Sequence, residues 1–170
     1  AILQAEQLLA STYGTNRSFF LLNGSTVGNL AMIYATCQKG DTVLVQRNAH
    51  KSIFHGLELV GANPIYIAPT WHKESQTAGC IELDTLKQAI TSYPDAKAVI
   101  FTYPTYYGVT TINLAEQIKL CHAHNIPVLV DEAHGAHLMV NKALPTSAVD
   151  LGADIVVQSA HKTLPAMTMA

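Results

Sequence analysis

The chain has 170 residues, 49% of them hydrophobic and 13% charged, with ten basic against twelve acidic side chains and a formal charge of −2. That length suits one domain with one sizeable core, since a chain of this size buries roughly 68–70% of its unfolded surface. The charge balance argues against a nucleic-acid binder, which carries a basic patch or stripe; so little charge, against about 25% in an average soluble domain, implies that a partner subunit or a further domain covers part of the surface.

No run approaches the roughly 20 apolar residues of a membrane span. The first residues, Ala1 to Glu6, show neither the basic n-region nor the cleavage pattern of a signal peptide. Three widely spaced cysteines, Cys37, Cys80 and Cys121, form no CxxC and read as reduced, buried thiols of a cytoplasmic protein. The chain begins without Met and stops at Ala170 with no closing element, so it reads as a piece cut from something longer.

In chain order, the pattern predicts a strand at 19–22, a helix at 25–37, a strand at 42–46 and a helix at 51–60. A strand at 64–68 follows, then a surface excursion over 69–81 that holds the single tryptophan, Trp71, and reads as a contact loop. Beyond it come a helix at 84–92, a strand at 98–103, a helix at 113–124 and strands at 128–131 and 155–159. Most strands are rich in Val, Ile, Leu or Phe with little polar alternation, the mark of strands buried on both faces of a parallel sheet. Asn113 with Glu116 resembles a capping box, and Asp84 is a candidate N-cap. Gly40, Gly61 and Gly152 fall just after helical segments, where a left-handed residue ends a helix. The fold class is α/β: a mostly parallel sheet with helices on both faces and right-handed crossovers.

In open α/β sheets, ligands bind beyond the carboxyl ends of the strands. Those ends carry polar clusters: Asn23 to Thr26, Arg47 to Ser52, Pro104 to Gly108, Asp131 to His137 and Ser159 to Thr163. Each reads two ways. Gly24-Ser25-Thr26 is an ordinary N-cap, or a phosphate cup of free amides and hydroxyls at a positive helix end. Asp131 is a turn residue, or a carboxylate holding a cationic ligand atom. Lys162 is a solvated lysine, or a partly desolvated amine and usable nucleophile. Among eight histidines, His134 and His137 with Asp131 loosely imitate a metal-binding set, but no HExxH occurs and no Cys stands at ligand spacing, so no metal is expected. His55, His72, His122 and His124 read as structural. No GxSxG elbow supports nucleophilic hydrolysis.

Taken together, these clusters resemble the large domain of fold-type I pyridoxal-phosphate enzymes, and more narrowly the ornithine/lysine/arginine decarboxylase family in its shorter bacterial branch. Ser159-Ala160-His161-Lys162-Thr163-Leu164-Pro165 is the most specific piece; Asp131-Glu132-Ala133-His134 is shared with acyltransferases of the same fold. The resemblance implies that residues 1–170 are the cofactor-binding large domain, without the small C-terminal domain, and that the cofactor is pyridoxal 5'-phosphate. Lys162 resembles the Schiff-base lysine, and Asp131 the carboxylate paired to the pyridine nitrogen. Gly24, Ser25 and Thr26 resemble the phosphate cup, closed from the other side by Ser159 and His161. His50 is similar to the ring stacked on one cofactor face, and Ala133 to the small residue on the other.

His134 departs from the larger inducible members, which carry Trp there; its acyltransferase-like motif implies a reach to the cofactor's phenolic oxygen or the substrate carboxylate. Thr105 is expected at the cofactor edge, and Lys51 in a structural role. The implied reaction is decarboxylation of ornithine, lysine or arginine to the amine, a polyamine precursor, with Lys162, Asp131, His50 and His134 as the catalytic set. The implied assembly is a homodimer or higher, with a small-molecule amino acid as substrate and neither nucleic acid nor membrane as partner. Three readings compete with it: another enzyme of the same fold (an acyltransferase or aminotransferase), a non-catalytic binding fragment, and a metal hydrolase.

Overall fold

The structure, a computed structural model, describes residues 1–167. Its elements run α1 (Ile2–Tyr13), α2 (Gly24–Thr36), β1 (Thr42–Gln46), α3 (Lys51–Val60), β2 (Asn63–Ile67), β3 (Trp71–His72), β4 (Thr77–Ala78) and α4 (Leu83–Ser92). There follow β5 (Ala98–Thr102), α5 (Leu114–Ala123), β6 (Val128–Glu132), a 3₁₀ turn (Leu138–Val140), β7 (Ile155–Gln158) and the single-turn α6 (Ala160–Thr163). Five strands form one parallel sheet in the spatial order β2-β1-β5-β6-β7. The antiparallel pair β3–β4 is the predicted excursion, with Trp71 exposed on it.

A parallel sheet needs cover on both faces, and the period of two along a strand sends neighbouring side chains to opposite sides. In β1, Val43 and Val45 pack with Met32, Ile33, Ile53 and Leu57 of α2 and α3, whereas Leu44 packs with Leu86, Ile90, Leu114 and Ile118 of α4 and α5. β5 and β6 keep the alternation: Ala98, Ile100 and Leu129 join the first cluster, and Val99, Phe101, Val128 and Val130 the second. Both sets of side chains are apolar because neither face meets water. Continued one step, the alternation sends Asp131 to the α2/α3 face and Glu132 to the α4/α5 face.

The structure departs from the expected elements in places. Residues 19–22 form no strand. A strand exists through its ladder bonds, and this run pairs with no strand of the sheet; Phe19, Phe20 and Leu22 are exposed, while Leu21 lies against Gly28. Helix α1 was not expected. Its residues are good helix formers, but none is buried, so no apolar period marks it. Helix α4 starts at Leu83 with Glu82 as its N-cap, which leaves Asp84 in the first turn, still favourable at the positive end. Asn113 does occupy the N-cap of α5, but it makes no side-chain cap bond; its φ of −90° and ψ of −3° are helical rather than the extended geometry of a capping residue. Gly61, at φ 75°, ends α3 in the left-handed conformation.

Candidate active site

The chain builds outward from β1 to β2, then returns through β5 to β6 and β7, so the topology switches direction between β1 and β5. Loops leaving the carboxyl ends on either side of such a point diverge and leave a crevice. A cavity of about 530 Å³ lies here. Ten of the residues singled out for the site in the sequence, all but Thr105, line it, together with Asn48, Ala49, Lys51, Thr102 and Tyr106.

One wall is the start of α2. Asn23 (φ 70°) and Gly24 (φ 75°) turn the chain into the helix through two successive left-handed residues, and the Asn23 side chain makes no cap bond. The first-turn amides therefore reach Gly24, Ser25 and Thr26 at the cavity without a side-chain acceptor at the cap. A second wall follows β1. His50 is the N-cap of α3, its Nδ1 accepting from the Ser52 amide at 3.3 Å and lying 2.8 Å from Ser52 Oγ.

Asp131 is the penultimate residue of β6, paired across the ladder with Thr102 and only 3% exposed. Its Oδ1 accepts from the Ala133 amide at 3.1 Å and its Oδ2 from Asn29 Nδ2 at 2.9 Å. His134 follows on the same loop, its Nε2 3.2 Å from Lys162 Nζ and its ring edge-on to Tyr106 at 5.6 Å. Burial pushes the His134 imidazole down from its ordinary value; the Lys162 charge adds to that, Asp131 opposes it, and His50 lowers it further. The last wall is α6 and its cap: Ser159 is buried, its Oγ 3.4 Å from Nδ1 of His161, and Lys162 stands at the mouth.

The structure decides between the two readings of Lys162 and corrects the expectation for Thr105. Lys162, on the single-turn helix beyond β7, is exposed, which decides for the solvated of its two readings. Thr105 does not line the cavity; it is fully buried and closes its own turn, accepting from the Val109 amide at 3.2 Å, and Tyr106 faces the cavity instead. Sequence reasoning also passed over Thr102 and Asn29. The signal for Asn29 was an Asn inside an apolar helix, where its side chain competes with the backbone unless given another partner.

Glu132, adjacent to Asp131 but on the opposite face, is fully buried. It accepts from Ser147 Oγ (2.9 and 3.1 Å), the Ala148 amide (2.7 Å) and Gln158 Nε2. It thus ties the β6–β7 connection to the end of β7, just before Ser159. Burial pushes its carboxyl up, and these three donors partly offset that. The three cysteines are free and buried, with thiols pushed up by burial to about 11 at Cys37 and Cys80 and about 12 at Cys121. None offers a thiolate at neutral pH. Among the described residues, no three His, Cys, Asp or Glu side chains converge as metal ligands, and no helix is long and apolar enough to cross a membrane.

The mostly parallel sheet with helices on both faces is a known fold: Escherichia coli constitutive lysine decarboxylase superposes with a TM-score of 0.77 at 24% identity, over 99% of this chain and 25% of that one. The sequence narrows the class. Residues 1–170 match the family model of the Orn/Lys/Arg decarboxylase major domain, and the chain belongs to that family. It is 55% identical over 168 residues to Bacillus subtilis YaaO, a protein named only as uncharacterized, and 39% identical over 169 residues to a Bacillus subtilis arginine decarboxylase. These matches cover 99% of this chain but 35% and 34% of the relatives, so the chain spans about a third of their length.

Proposed function

We propose that the protein carrying this chain binds pyridoxal 5'-phosphate and removes the carboxyl group of a basic amino acid as CO2, leaving the amine. The observation that carries this reading is the meeting of Lys162, Asp131, Ser25 and Thr26 around one cavity. The donor set fits the cofactor. A buried carboxylate suits a pyridinium, an exposed amine suits an aldehyde, and an uncapped helix start with two hydroxyls suits a phosphate.

When bound, the cofactor supplies the electron sink for the bond broken at Cα. The chain's residues hold and tune it. Lys162 would hold the aldehyde carbon through its amine. Asp131 would keep the ring nitrogen protonated, its own position fixed by Ala133 and Asn29. Gly24, Ser25 and Thr26 would take the phosphate, with Ser159 and His161 beside them. The His50 ring would cover one face, and Ala133 leaves room at the other. His134, pushed toward its neutral form by burial and by Lys162, can accept a hydrogen bond from the Lys162 ammonium at Nε2 and so hold that amine at the cavity.

On this reading residues 1–170 are the large domain, and the whole protein is a cytoplasmic homodimer or larger assembly that makes polyamine precursors. The exposed apolar side chains Ile2, Leu3 and Leu8 of α1, with Phe19, Phe20 and Leu22, are consistent with a covering subunit. Arginine is the first substrate to try, given the arginine decarboxylase among the relatives. The test supplies the full-length protein with pyridoxal phosphate and arginine, lysine or ornithine, and measures CO2 and amine. Stoichiometric release from one of them is expected; none from all three overturns the decarboxylase reading, and amino transfer to a keto acid would replace it with an aminotransferase.

A further inference from the structure

Both oxygens of Asp131 accept hydrogens, Oδ2 from Nδ2 of Asn29. This settles which end of the Asn29 amide faces it, because the reversed amide would set oxygen against carboxylate. The second hydrogen of Nδ2 goes to Ser52 Oγ at 2.9 Å. Having accepted it, Ser52 has its own hydroxyl hydrogen to give, and Nδ1 of His50 lies 2.8 Å away. The Ser52 backbone amide donates to the same nitrogen. Nδ1 of His50 thus accepts twice and carries no hydrogen.

We infer that Asn29 is a positioning residue that passes the polarity of Asp131 through Ser52 to His50, holding that imidazole as the Nε2–H tautomer. The relay joins three elements: Asn29 on α2, Ser52 and His50 at the start of α3, and Asp131 at the end of β6. Its inner members are dry, with Asn29 and Ser52 each 1% exposed. Asn29 Oδ1 is buried with no partner among the described residues. Such an orphaned oxygen calls for an explanation, and here both hydrogens on its amide nitrogen are committed, which fixes the orientation of the group. Only Nε2–H of His50 then remains for a ligand, so the cavity meets His50 as an aromatic face with a hydrogen-bond donor. This last step, the meaning for the ligand, rests on the cofactor site proposed above; the direction of the hydrogen bonds does not.

The test is selective 15N-histidine labelling of the intact protein without added pyridoxal phosphate, at a pH above imidazole titration. His50 is assigned by the signals lost in His50→Gln. In the wild type, Nδ1 is expected to resonate as a pyridine-type nitrogen and Nε2 as a pyrrole-type one. In Asn29→Leu, and in Ser52→Ala should the first fail to fold, the Nδ1–H fraction is expected to rise several-fold. A pyrrole-type Nδ1 in the wild type, or tautomers unmoved in the folded variants, overturns the relay. Neither cofactor nor turnover enters the measurement, so loss of the decarboxylase reading leaves its result standing, and a rejected relay leaves the decarboxylase reading intact.

Discussion

Nζ of Lys162 and Nε2 of His134 share one hydrogen across 3.2 Å. The imidazole is the acceptor, because burial first and the Lys162 charge second push it below its ordinary value. The unfolded chain titrates near ~6.5 and so binds more protons than the fold in the window below that value. The stability that neutral His134 contributes is present above this window and lost as pH falls through it. Because the residue is only half-buried, solvent screening keeps the effect small. Thermal midpoints followed between about pH 5 and pH 8 should fall more steeply on acidification for the wild type than for His134→Gln. Parallel curves would remove this account of the pair.

Lys162→Ala deletes an exposed side chain and no core volume. Its stability should stay within about 0.5 kcal/mol of wild type. Borohydride should then fix no pyridoxal phosphate on the peptide spanning residue 162, and turnover should vanish. A labelled peptide elsewhere, or substantial activity, would contradict the assigned role.

Asp131→Asn keeps the shape of the side chain and loses its charge. If the carboxylate holds a ring proton, removing it should lower kcat by ~10²-fold or more, equivalent to ~2.7 kcal/mol, while cofactor absorbance persists. Steady-state kinetics on the reconstituted protein decide this; an unchanged kcat would deny Asp131 its electrostatic part.

Removing Glu132 leaves Ser147 Oγ, the Ala148 amide and Gln158 Nε2 without their acceptor. At ~1–3 kcal/mol for each unsatisfied buried group, Glu132→Ala should destabilise by about 3 kcal/mol or more in a urea titration. The sign of its pH effect opposes that of His134. A carboxyl pushed up by burial contributes stability below its unfolded value of ~4.3, and that contribution is lost as pH rises through the folded value. Relative to Glu132→Gln, the wild type should therefore weaken as pH climbs through that window.

Much of the candidate site's convergence on one cavity was legible because parallel strands share one carboxyl edge. Once residues 98–103, 128–131 and 155–159 read as such strands, Asp131 and Lys162 had to emerge on the same side of the sheet. The surroundings were less legible. Asn29 looked like a poor helix former, and its carboxylate partner lies 102 residues away. The exposure of Lys162 depends on what packs over α6, and the choice of Tyr106 over Thr105 on how one turn closes; neither leaves a trace in residue type. The apolar run at 19–22 misled because hydrophobicity marks a strand only where a ladder neighbour is waiting, and α1 escaped notice because it shows the core no face.

Helix α2, from the first quarter of the chain, packs on β7 from the last, and the cavity is enclosed only when the two meet. A nascent chain leaving the ribosome thus holds its Ser25 and Thr26 wall long before the segment bearing Lys162 has been synthesised. Contacts so distant in sequence form slowly, so the cavity is completed only at the end of folding, once the whole sheet has zipped.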